Sequence, residues 1–480
     1  MNVTRLPVRL TADARRVIAR SFVPGELPRI RAVIDRVRAL PDAEVSSMVA
    51  SLVTDYRQRH KDIRGIFRQN YATAIGLARE SLETSDERRL LLGAYFTSEY
   101  ALESVALFNP SMVPHPDQNG VARGSVRFIM SLRACGEGHI SSIEFRTGTV
   151  DAGHSVSIEP PTRFALTARP VDDAVYDKES YLRKLVEMRA HSALAEPVLA
   201  LLDNYFTMSD LRYAIEKCRT SGSVTYFEEL ADNMLWLAHS NYELEFSPDA
   251  ALSERVIFPV SESESRGIED ARFVRFVHPD GRVAYFATYT AYNGFRALPQ
   301  LIETTDFRHF KMNTLNGRCV QNKGMALFPR KVGDQFVMAS RLDGENIYLL
   351  KSDNIHFWNE STLVHAPKFP WEIVQVGNCG SPIETEEGWI LLTHGVGPMR
   401  QYWIGALLLD LEDPSRVIGE LSEPMLVPNA DERDGYVPNV VYSCGALRHG
   451  DSLFIPYAVS DSRIAMATVS TADLLAQLKS

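Results

Sequence analysis

Residues 273–292 read FVRFVHPDGRVAYFATYTAY, and the pattern of this stretch decides the fold. Two apolar, strand-like segments flank a polar turn at Pro279-Asp-Gly281, where glycine can take the positive φ that a tight hairpin requires. A loop and a third strand-like segment follow, ending near Asp306. The stretch therefore predicts a unit of consecutive antiparallel strands.

The same unit recurs along the second half of the chain. Further copies are predicted at 326–353, 381–410 and 444–471, and a fifth copy lies at about 105–151. The turn glycines 281, 333, 388 and 450 are separated by 52, 55 and 62 residues. Repeats of this length, with about four strands each, are typical of propeller blades. We therefore predict a mainly β protein built as a five-bladed β-propeller, with two stacked β-sandwiches as the alternative.

Helical periodicity marks the remaining parts of the chain. Residues 1–104 are predicted to form a mostly helical N-terminal extension, and a helical insertion at about 176–242 interrupts a propeller domain at 105–471. A short amphipathic helix at 472–480 ends the chain. The helical parts could cap a pocket or mediate self-association into a homo-oligomer.

Composition excludes several classes of protein. The chain has 480 residues, 45% of them hydrophobic and 23% charged, as a soluble globular protein does. Its net charge of −10 is spread along the sequence without a basic stripe, so we expect no nucleic-acid or membrane partner. Five scattered cysteines without a C-x-x-C pair, and no suitably spaced histidine pair, predict no metal site. The absence of an apolar leader-like segment or a long apolar run favours a cytoplasmic location.

The most informative short motif is Gly267-Ile-Glu-Asp-Ala-Arg272, where a polar loop enters an apolar strand. A carboxyl group can move protons, and an arginine can orient it. The strand that follows ends in Tyr289-Thr-Ala-Tyr-Asn-Gly294, whose aromatic and amide groups could hold sugar hydroxyls. Surface ion pairs produce the same letters, so the motif alone does not establish catalysis.

Other polar loops recur at equivalent points of the repeat. Because loops at one end of the blades converge on the axis of a propeller, these positions favour a shared axial site. Lys323 lies beside an apolar strand, where an unpaired buried ammonium would be costly. His394, before a glycine, has the ordinary alternative of a hydrogen-bonded loop histidine. The candidates in these loops are Asn322, Lys323, Arg341, Glu345, Glu384, His394 and Asp461.

Six ordered stretches between residues 245 and 469 resemble glycoside hydrolase family 130, the β-mannoside phosphorylases and β-mannosidases. Two departures are visible, Ala271 for the usual proline and Asn293 for the usual aspartate, and neither alters the carboxylate. The helical parts lie outside the resemblance. The matching stretches are 267–272, 289–294, 322–331, 380–389, 394–396 and 408–414.

The resemblance implies a five-bladed propeller that inverts the anomeric centre of a small carbohydrate substrate. Asp270 is implied to donate the proton to the glycosidic oxygen, through a hydroxyl of the bound mannosyl ring. No cofactor is expected, and inorganic phosphate would be a co-substrate only in a phosphorylase. The predicted substrate-binding residues are Glu269, Arg272, Tyr289, Tyr292, Asn293, Asn322, Lys323, Arg341, His394 and Asp461.

The attacking group, phosphate or water, is the open question. Phosphate needs a cluster of cations. Lys323 of the family pattern is present, but Ser340 replaces a histidine, and Glu384 stands where phosphorylases tend to carry lysine. Fewer cations and an added carboxylate favour water, activated by Glu384 or Glu345 as general base.

The sequence therefore predicts an inverting glycosidase that hydrolyses β-mannosides, in particular short β-1,2-linked manno-oligosaccharides. The alternative is a β-mannoside phosphorylase that releases mannose 1-phosphate, which Lys323 and Arg341 support. A third hypothesis is a sugar-binding propeller without catalytic power, against which the intact Glu269, Asp270 and Arg272 argue.

Overall fold

A computed structural model of the chain describes residues 1–80, 82–188, 190, 195–219 and 224–480. Residues 189, 191–194 and 220–223 of the predicted insertion lie outside the described residues. Over the described ranges the chain is mainly β with nine α-helices, which confirms the predicted fold class at that level. Within them, no helix is both long and apolar enough to cross a membrane.

Five groups of antiparallel strands account for most of the β structure. The first group contains β4 (Ala106–Pro114), β5 (Val126–Cys135), β6 (Ser141–Val150) and β7 (Val156–Ile158). The second contains β14 (Gly267–Val277), β15 (Val283–Tyr292), β16 (Ala297–Thr304) and β17 (His309–Thr314). The third contains β18 (Ala326–Leu327), β19 (Phe336–Ser340), β20 (Ile347–Ser352) and β21 (Glu360–His365).

The fourth and fifth groups continue this pattern to the end of the chain. The fourth contains β22 (Gln375–Asn378), β23 (Ile383–Thr385), β24 (Gly388–Val396), β25 (Tyr402–Leu409) and β26 (Val417–Glu420). The fifth contains β27 (Val441–Tyr442), β28 (Leu447–His449), β29 (Ser452–Val459) and β30 (Arg463–Ser470). The sequence repeat therefore corresponds to a repeated group of strands.

The hairpin between β14 and β15 illustrates why the repeat folds this way. Most residues of both strands are buried, and the register pairs Val277 with Val283 across the turn. Gly281 in that turn has a φ of +82°, a conformation that glycine adopts without steric cost. The turn residues and the apolar strand residues thus both favour a hairpin.

Each group packs against the next through apolar side chains. Phe145 of the first group meets Phe273 of the second, with ring centres 5.9 Å apart. Phe276 of the second lies in one buried cluster with Met338 and Leu350 of the third. Phe328, which leads into β19, meets Trp389 of the fourth at 5.1 Å.

The packing continues from the last groups back to the first. Ile390 of the fourth group shares a buried cluster with Ile455 of the fifth. Phe454 and Met466 of the fifth group pack with Met130 of the first. The five groups therefore contact one another in cyclic order, although no sheet formed by the described residues is closed.

The N-terminal segment differs from the prediction of a mostly helical extension. Residues Thr4–Thr11 form β1, which pairs with β30 from Thr4 opposite Thr468 to Thr11 opposite Arg463. A second antiparallel pair joins β2 (Val17–Ser21) to β3 (Thr97–Ala101). The first strand of the chain thus completes the fifth group.

Four helices between these strands share one apolar core, in which Ile34, Phe67 and Leu91 are buried. They begin after β2 and end before β3. They are α1 (Leu27–Arg38), α2 (Asp42–Tyr56), α3 (Ile63–Ala78) and α4 (Asp86–Tyr95).

Four more helices lie in the predicted insertion and form a separate core around Leu185, Leu211 and Met234. They are α5 (Lys178–Glu187), α6 (Ala195–Ala200), α7 (Met208–Cys218) and α8 (Val224–His239). A last helix, α9 (Thr471–Leu478), follows β30. The remaining short strands are β8 (Leu166–Thr167), β9 (Arg169–Pro170), β10 (Val175–Asp177), β11 (Tyr205–Thr207), β12 (Tyr242–Glu245) and β13 (Arg255–Ile257).

A buried charge network fixes the N-terminal segment to the first strand group. The guanidinium of Arg16 lies 2.7 Å from the Glu144 carboxylate and 3.2 Å from that of Glu103. Arg146 contacts the same two carboxylates at 3.2 and 2.7 Å. All four side chains are almost completely buried, so each charge depends on its partners for the solvation that water would otherwise supply.

Candidate active site

Asp270 lies at a bulge of the β14–β15 hairpin, where the pairing shifts between Glu269 and Arg272. Its φ is +54°, a left-handed conformation that a non-glycine residue adopts only when its surroundings enforce it. Asn109 lies at a similar shift in β4 with a φ of +48°. Its side-chain amide donates a hydrogen bond of 2.6 Å to Oδ1 of Asp270. Two irregularities, 161 residues apart in sequence, thus direct their side chains to one point.

Arg133 of β5 holds both carboxylates of the Glu269-Asp270 pair. Its guanidinium lies 2.8 Å from Glu269 and 3.0 Å from Asp270. Burial disfavours the charge of Asp270, but Arg133, followed by Arg272, outweighs burial and lowers the pKa of Asp270 to about 2. Asp270 is therefore ionised in the unliganded protein.

Glu269 also forms an ion pair with Lys323, which lies between the second and third strand groups. The Lys323 ammonium is 5.5 Å from the ring centre of Tyr292. Its side chain is 38% exposed, whereas that of Asp270 is 17% exposed. Lys323 is thus the accessible cation beside two largely buried carboxylates.

Arg272 connects the motif to the fourth and fifth strand groups. Its guanidinium donates to the backbone oxygen of Asp270 at 3.2 Å and to the hydroxyl of Tyr442. The Tyr442 ring meets that of His394 edge-on, with centres 4.9 Å apart. Arg341, in turn, donates from Nη1 to Nε2 of His394 at 3.3 Å. One chain of contacts therefore extends from Asp270 to Arg341.

His394 is neutral in this setting. Burial, then the charges of Arg341 and Arg272, hold its pKa well below the usual range. Because Nε2 accepts from Arg341, the proton is carried on Nδ1. The neutral ring therefore accepts a hydrogen bond from Arg341 without cancelling its charge.

Several polar atoms at this place are buried without a partner. Among the described residues, the Nε atoms of Arg133, Arg272 and Arg341 have no hydrogen-bond partner, and neither do the Oδ1 atoms of Asn109 and Asn378. Orphaned buried polar atoms are rare in folded proteins and are costly. Their concentration around Asp270 is typical of a site that binds a polar ligand.

Asp461 lies in the turn between β29 and β30, where it has a φ of +48°. Burial, and then the negative charge of Asp270, raise the pKa of Asp461 to about 6, and Arg133 opposes this shift. The negative charge of Asp270 therefore makes ionisation of Asp461 less favourable. Asp461 is thus within electrostatic range of Asp270, and its predicted role in substrate binding stays a prediction.

Three more candidates lie at the edge of this group. The hydroxyl of Tyr292 donates to the Gly294 oxygen at 2.9 Å, and Oδ1 of Asn293 accepts two backbone N–H groups of its own turn. Asn322, with a φ of +63°, precedes Lys323. The Asn293 and Asn322 side chains thus shape the loops beside Lys323.

Tyr289 differs from its predicted place in a sugar-binding loop. Its side chain belongs to the apolar core of the second strand group and is buried. Its hydroxyl lies 2.7 Å from Glu264 and 2.6 Å from Gln300. The structure therefore gives Tyr289 a packing role and does not bring it to the Asp270 carboxylate.

The two candidate general bases are also placed elsewhere. Glu384 lies in β23, pairs with Arg330 at 2.6 Å and is 40% exposed. Glu345 is exposed in the turn between β19 and β20, where its backbone N–H donates to Asp343. These placements argue against the predicted role of either residue as base.

Sequence reasoning missed three residues of the site, namely Asn109, Arg133 and Tyr442. Asn109 precedes a proline inside an otherwise apolar strand, and Arg133 interrupts the apolar run of β5. A charged or amide residue inside a buried strand is a signal that could have identified both. The sequence around Tyr442 contains no comparable signal.

Metal binding has no support in the described ranges. No group of three or more histidine, cysteine, aspartate or glutamate side chains there could hold a metal ion. The chemistry available to the site is that of carboxylates and cations.

The family model described as beta-1,4-mannooligosaccharide phosphorylase matches residues 234–480, and the chain belongs to this family, glycoside hydrolase family 130. A 1,2-beta-oligomannan phosphorylase of Thermoanaerobacter sp. strain X514 is 34% identical over 227 residues, 46% of this chain and 75% of the relative. A beta-1,2-mannobiose phosphorylase of Listeria innocua is 30% identical over 230 residues, 46% of this chain and 63% of the relative.

One solved structure that is similar to this chain is the beta-1,2-mannobiose phosphorylase from Listeria innocua in complex with beta-1,2-mannobiose. Its TM-score is 0.46 at 23% identity, and the match covers 78% of this chain and 92% of that chain. The predicted family membership is thus confirmed at the level of sequence.

Proposed function

We propose that the protein is an inverting β-mannoside phosphorylase that cleaves β-1,2-linked manno-oligosaccharides with inorganic phosphate and releases mannose 1-phosphate. The observation that carries this proposal is the excess of cations around Asp270. Arg133, Arg272, Lys323 and Arg341 lie there with two carboxyl groups, Glu269 and Asp270.

The ion pairing of the four cations supports phosphate binding. Among the described residues, the cluster's ion pairs join Arg133 and Lys323 to the carboxylates, and none involves Arg272 or Arg341. Guanidinium groups with free N–H donors match the geometry of phosphate oxygens. Among the described residues, the one hydrogen bond of the Arg341 guanidinium is to the neutral imidazole of His394, so its charge is available to an anion.

The proposed reaction proceeds in one displacement. A phosphate oxygen attacks C1 of the terminal mannosyl unit from the face opposite the leaving sugar, and the C1–O bond to that sugar breaks. Asp270 supplies the proton to the leaving oxygen through a hydroxyl of the mannosyl ring, as the family resemblance implies. Since Asp270 is ionised without ligands, it must first take up a proton from water, and bound phosphate favours this uptake by offsetting the charge of the neighbouring cations. The proton of the attacking hydrogen phosphate is released from the product to water, so the reaction is balanced.

Hydrolysis, which the sequence favoured, has weaker support. Hydrolysis requires a general base, for which Glu384 and Glu345 were the candidates. Glu384 forms an ion pair with Arg330, and Glu345 is exposed in a turn. The named relatives are phosphorylases of β-1,2-linked mannosides, which favours the alternative that the sequence left open. No cofactor takes part in the proposed reaction.

We further propose that the five strand groups are the blades of a five-bladed propeller with Asp270 and Asp461 at its axis. The cyclic order of packing supports this arrangement, as does β1, which adds the first strand of the chain to the last group. The proposed domains are an N-terminal extension at 1–104, a propeller at 105–471 with the insertion at 176–242, and a terminal helix at 472–480.

Product analysis tests the proposed function. Purified protein is incubated with β-1,2-mannobiose or β-1,4-mannobiose, with and without phosphate, and products are followed by proton NMR. The proposal predicts α-mannose 1-phosphate from the β-1,2-linked substrate only when phosphate is present. Mannose as the sole new product under both conditions would establish hydrolysis, and no product would favour a binding role.

A further inference from the structure

A large cavity lies between the helical insertion and the second strand group. Its volume is about 1200 Å³, above the range of about 300–1000 Å³ that is typical of sites for drug-sized ligands. Trp236 of α8 and residues 182–188 line one side. The β15–β16 loop with Phe295 and the 317–321 loop line the other side. We call it the insertion cavity.

The wall that the insertion contributes is firmly attached. Lys184 of α5 donates from Nζ to the Leu315 oxygen at 2.9 Å and pairs with Glu187 at 3.2 Å. Glu187 also accepts the backbone N–H of Gly317. Burial of an ammonium group is costly without such partners. The cavity is therefore a preformed feature in which α5 is bonded to the loop that follows β17.

The lining of the insertion cavity suits sugar rings. Phe295 is 94% exposed, and Trp236 and Phe357 each present part of a ring. An aromatic ring this exposed presents an accessible apolar face to a ligand. Side-chain amides of Asn233 and Gln321 also line the cavity. Aromatic faces match the apolar C–H faces of a sugar, and amides match its hydroxyls.

The cavity lining includes sequence neighbours of candidate active-site residues. Asn293 and Gln321 line it, and they lie one and two residues from Tyr292 and Lys323. Lys323 contacts both the Tyr292 ring and the Glu269 carboxylate. The loops that carry Tyr292 and Lys323 therefore form both the edge of the candidate site and part of the cavity wall.

We propose that the insertion cavity binds the further mannosyl units of longer manno-oligosaccharides, beyond the pair that spans the scissile bond. This inference rests on the proposed function. The residues of α5 that form the wall lie outside the range 234–480 that the family model matches. The helical insertion thus gives this chain a preference for substrate length.

The test compares two substrates in the unmodified protein and four variants. The kcat/KM for phosphorolysis is measured with β-1,2-mannobiose and β-1,2-mannotetraose for the unmodified protein, Phe295→Ala and Trp236→Ala. The preference for the tetraose over the biose should fall about tenfold in either variant, which corresponds to about 1.4 kcal/mol. Phe295→Tyr should restore the preference. Tyr213→Ala is the matched control, since Tyr213 is an exposed aromatic residue of α7 away from the cavity lining.

The outcomes separate this inference from the proposed function. An unchanged preference in Phe295→Ala, or an equal loss for both substrates, would overturn the inference while leaving phosphorolysis intact. If the unmodified protein cleaves neither substrate, the proposed function fails. In that case, quenching of tryptophan fluorescence by mannotetraose, lost in Trp236→Ala, still decides whether the cavity binds the sugar. Because Phe295 is almost fully exposed, its variants are expected to fold.

Discussion

The guanidinium of Arg133 lies 3.0 Å from the carboxylate of Asp270, and this ion pair joins the first strand group to the second. The same arginine contacts Glu269 at 2.8 Å. One side chain therefore orients the proposed proton donor and sets its charge state, which makes Arg133 a positioning residue.

Removing Arg133 tests that role. In Arg133→Met, the pKa of Asp270 should rise, because burial then acts against its charge without the largest opposing cation. We expect kcat/KM for phosphorolysis to fall about 100-fold or more, within the range for misplaced acid–base groups. Steady-state kinetics between pH 5 and pH 9 measure both effects. Wild-type rates and an unchanged pH profile would contradict the assignment, and Arg133→Lys should recover part of the loss.

Arg341 is expected to bind phosphate directly. Arg341→Gln removes a charge that has no carboxylate partner in the described part of the chain. The KM for phosphate should rise about 10-fold to 100-fold, since hydrogen bonds to charged groups contribute about 1.5–3 kcal/mol. Arg330→Gln is the control, because Arg330 is paired with Glu384 and stacked on Trp389. Equal effects of the two substitutions would exclude a specific role for Arg341.

Asp461 is expected to set the acid limb of the pH profile. Its pKa is raised to about 6, first by burial and then by the charge of Asp270, so the carboxylate form is lost as the pH falls below about 6. A protonated carboxyl accepts sugar hydroxyls less well, and kcat/KM should decline there. In Asp461→Asn, activity should be lower and this limb absent. An identical limb in the variant would assign it to another group.

The site was predictable from sequence only where its residues are adjacent in the chain. Glu269, Asp270 and Arg272 form one motif, and their grouping is observed. Asn109 and Arg133 reach Asp270 across 161 and 137 residues, a distance that no local pattern encodes. Glu384 was misjudged for the same reason, because its partner Arg330 lies 54 residues earlier.

The fold was predictable to a similar extent. Turn glycines and strand alternation indicated the repeated groups, since both are local signals. The strand β1 was missed although Leu6, Val8 and Leu10 alternate, because its partner β30 lies at the other end of the chain. Pairing between distant segments depends on the assembled structure.

Glu384 and Glu345, which the sequence predicts as general bases, should be dispensable for activity. Glu384→Gln loses an exposed ion pair with Arg330 that contributes about 0–1 kcal/mol. Both Glu384→Gln and Glu345→Gln should therefore keep most of the phosphorolytic activity, measured as mannose 1-phosphate formed per minute. Loss of activity in either variant, with an unchanged melting temperature, would restore the hydrolytic hypothesis.

The buried network around Arg16 should control stability. Arg16→Met leaves the Glu103 and Glu144 carboxylates buried with one fewer cation. We expect the free energy of unfolding to fall by about 3–5 kcal/mol, as for other buried ion pairs that lose one partner. Urea denaturation measures the change, and Arg15→Met, at an exposed neighbouring site, should leave stability almost unaltered. A loss below 1 kcal/mol would show that the N-terminal segment is attached mainly by β1.

The central claim is that phosphate is the nucleophile. The initial rate of β-1,2-mannobiose cleavage is measured as the phosphate concentration is raised from zero in a buffer free of other oxyanions. The account predicts a rate that starts at zero and saturates, with one mannose 1-phosphate formed for each bond cleaved. A finite rate without phosphate that stays constant as phosphate is added would contradict it.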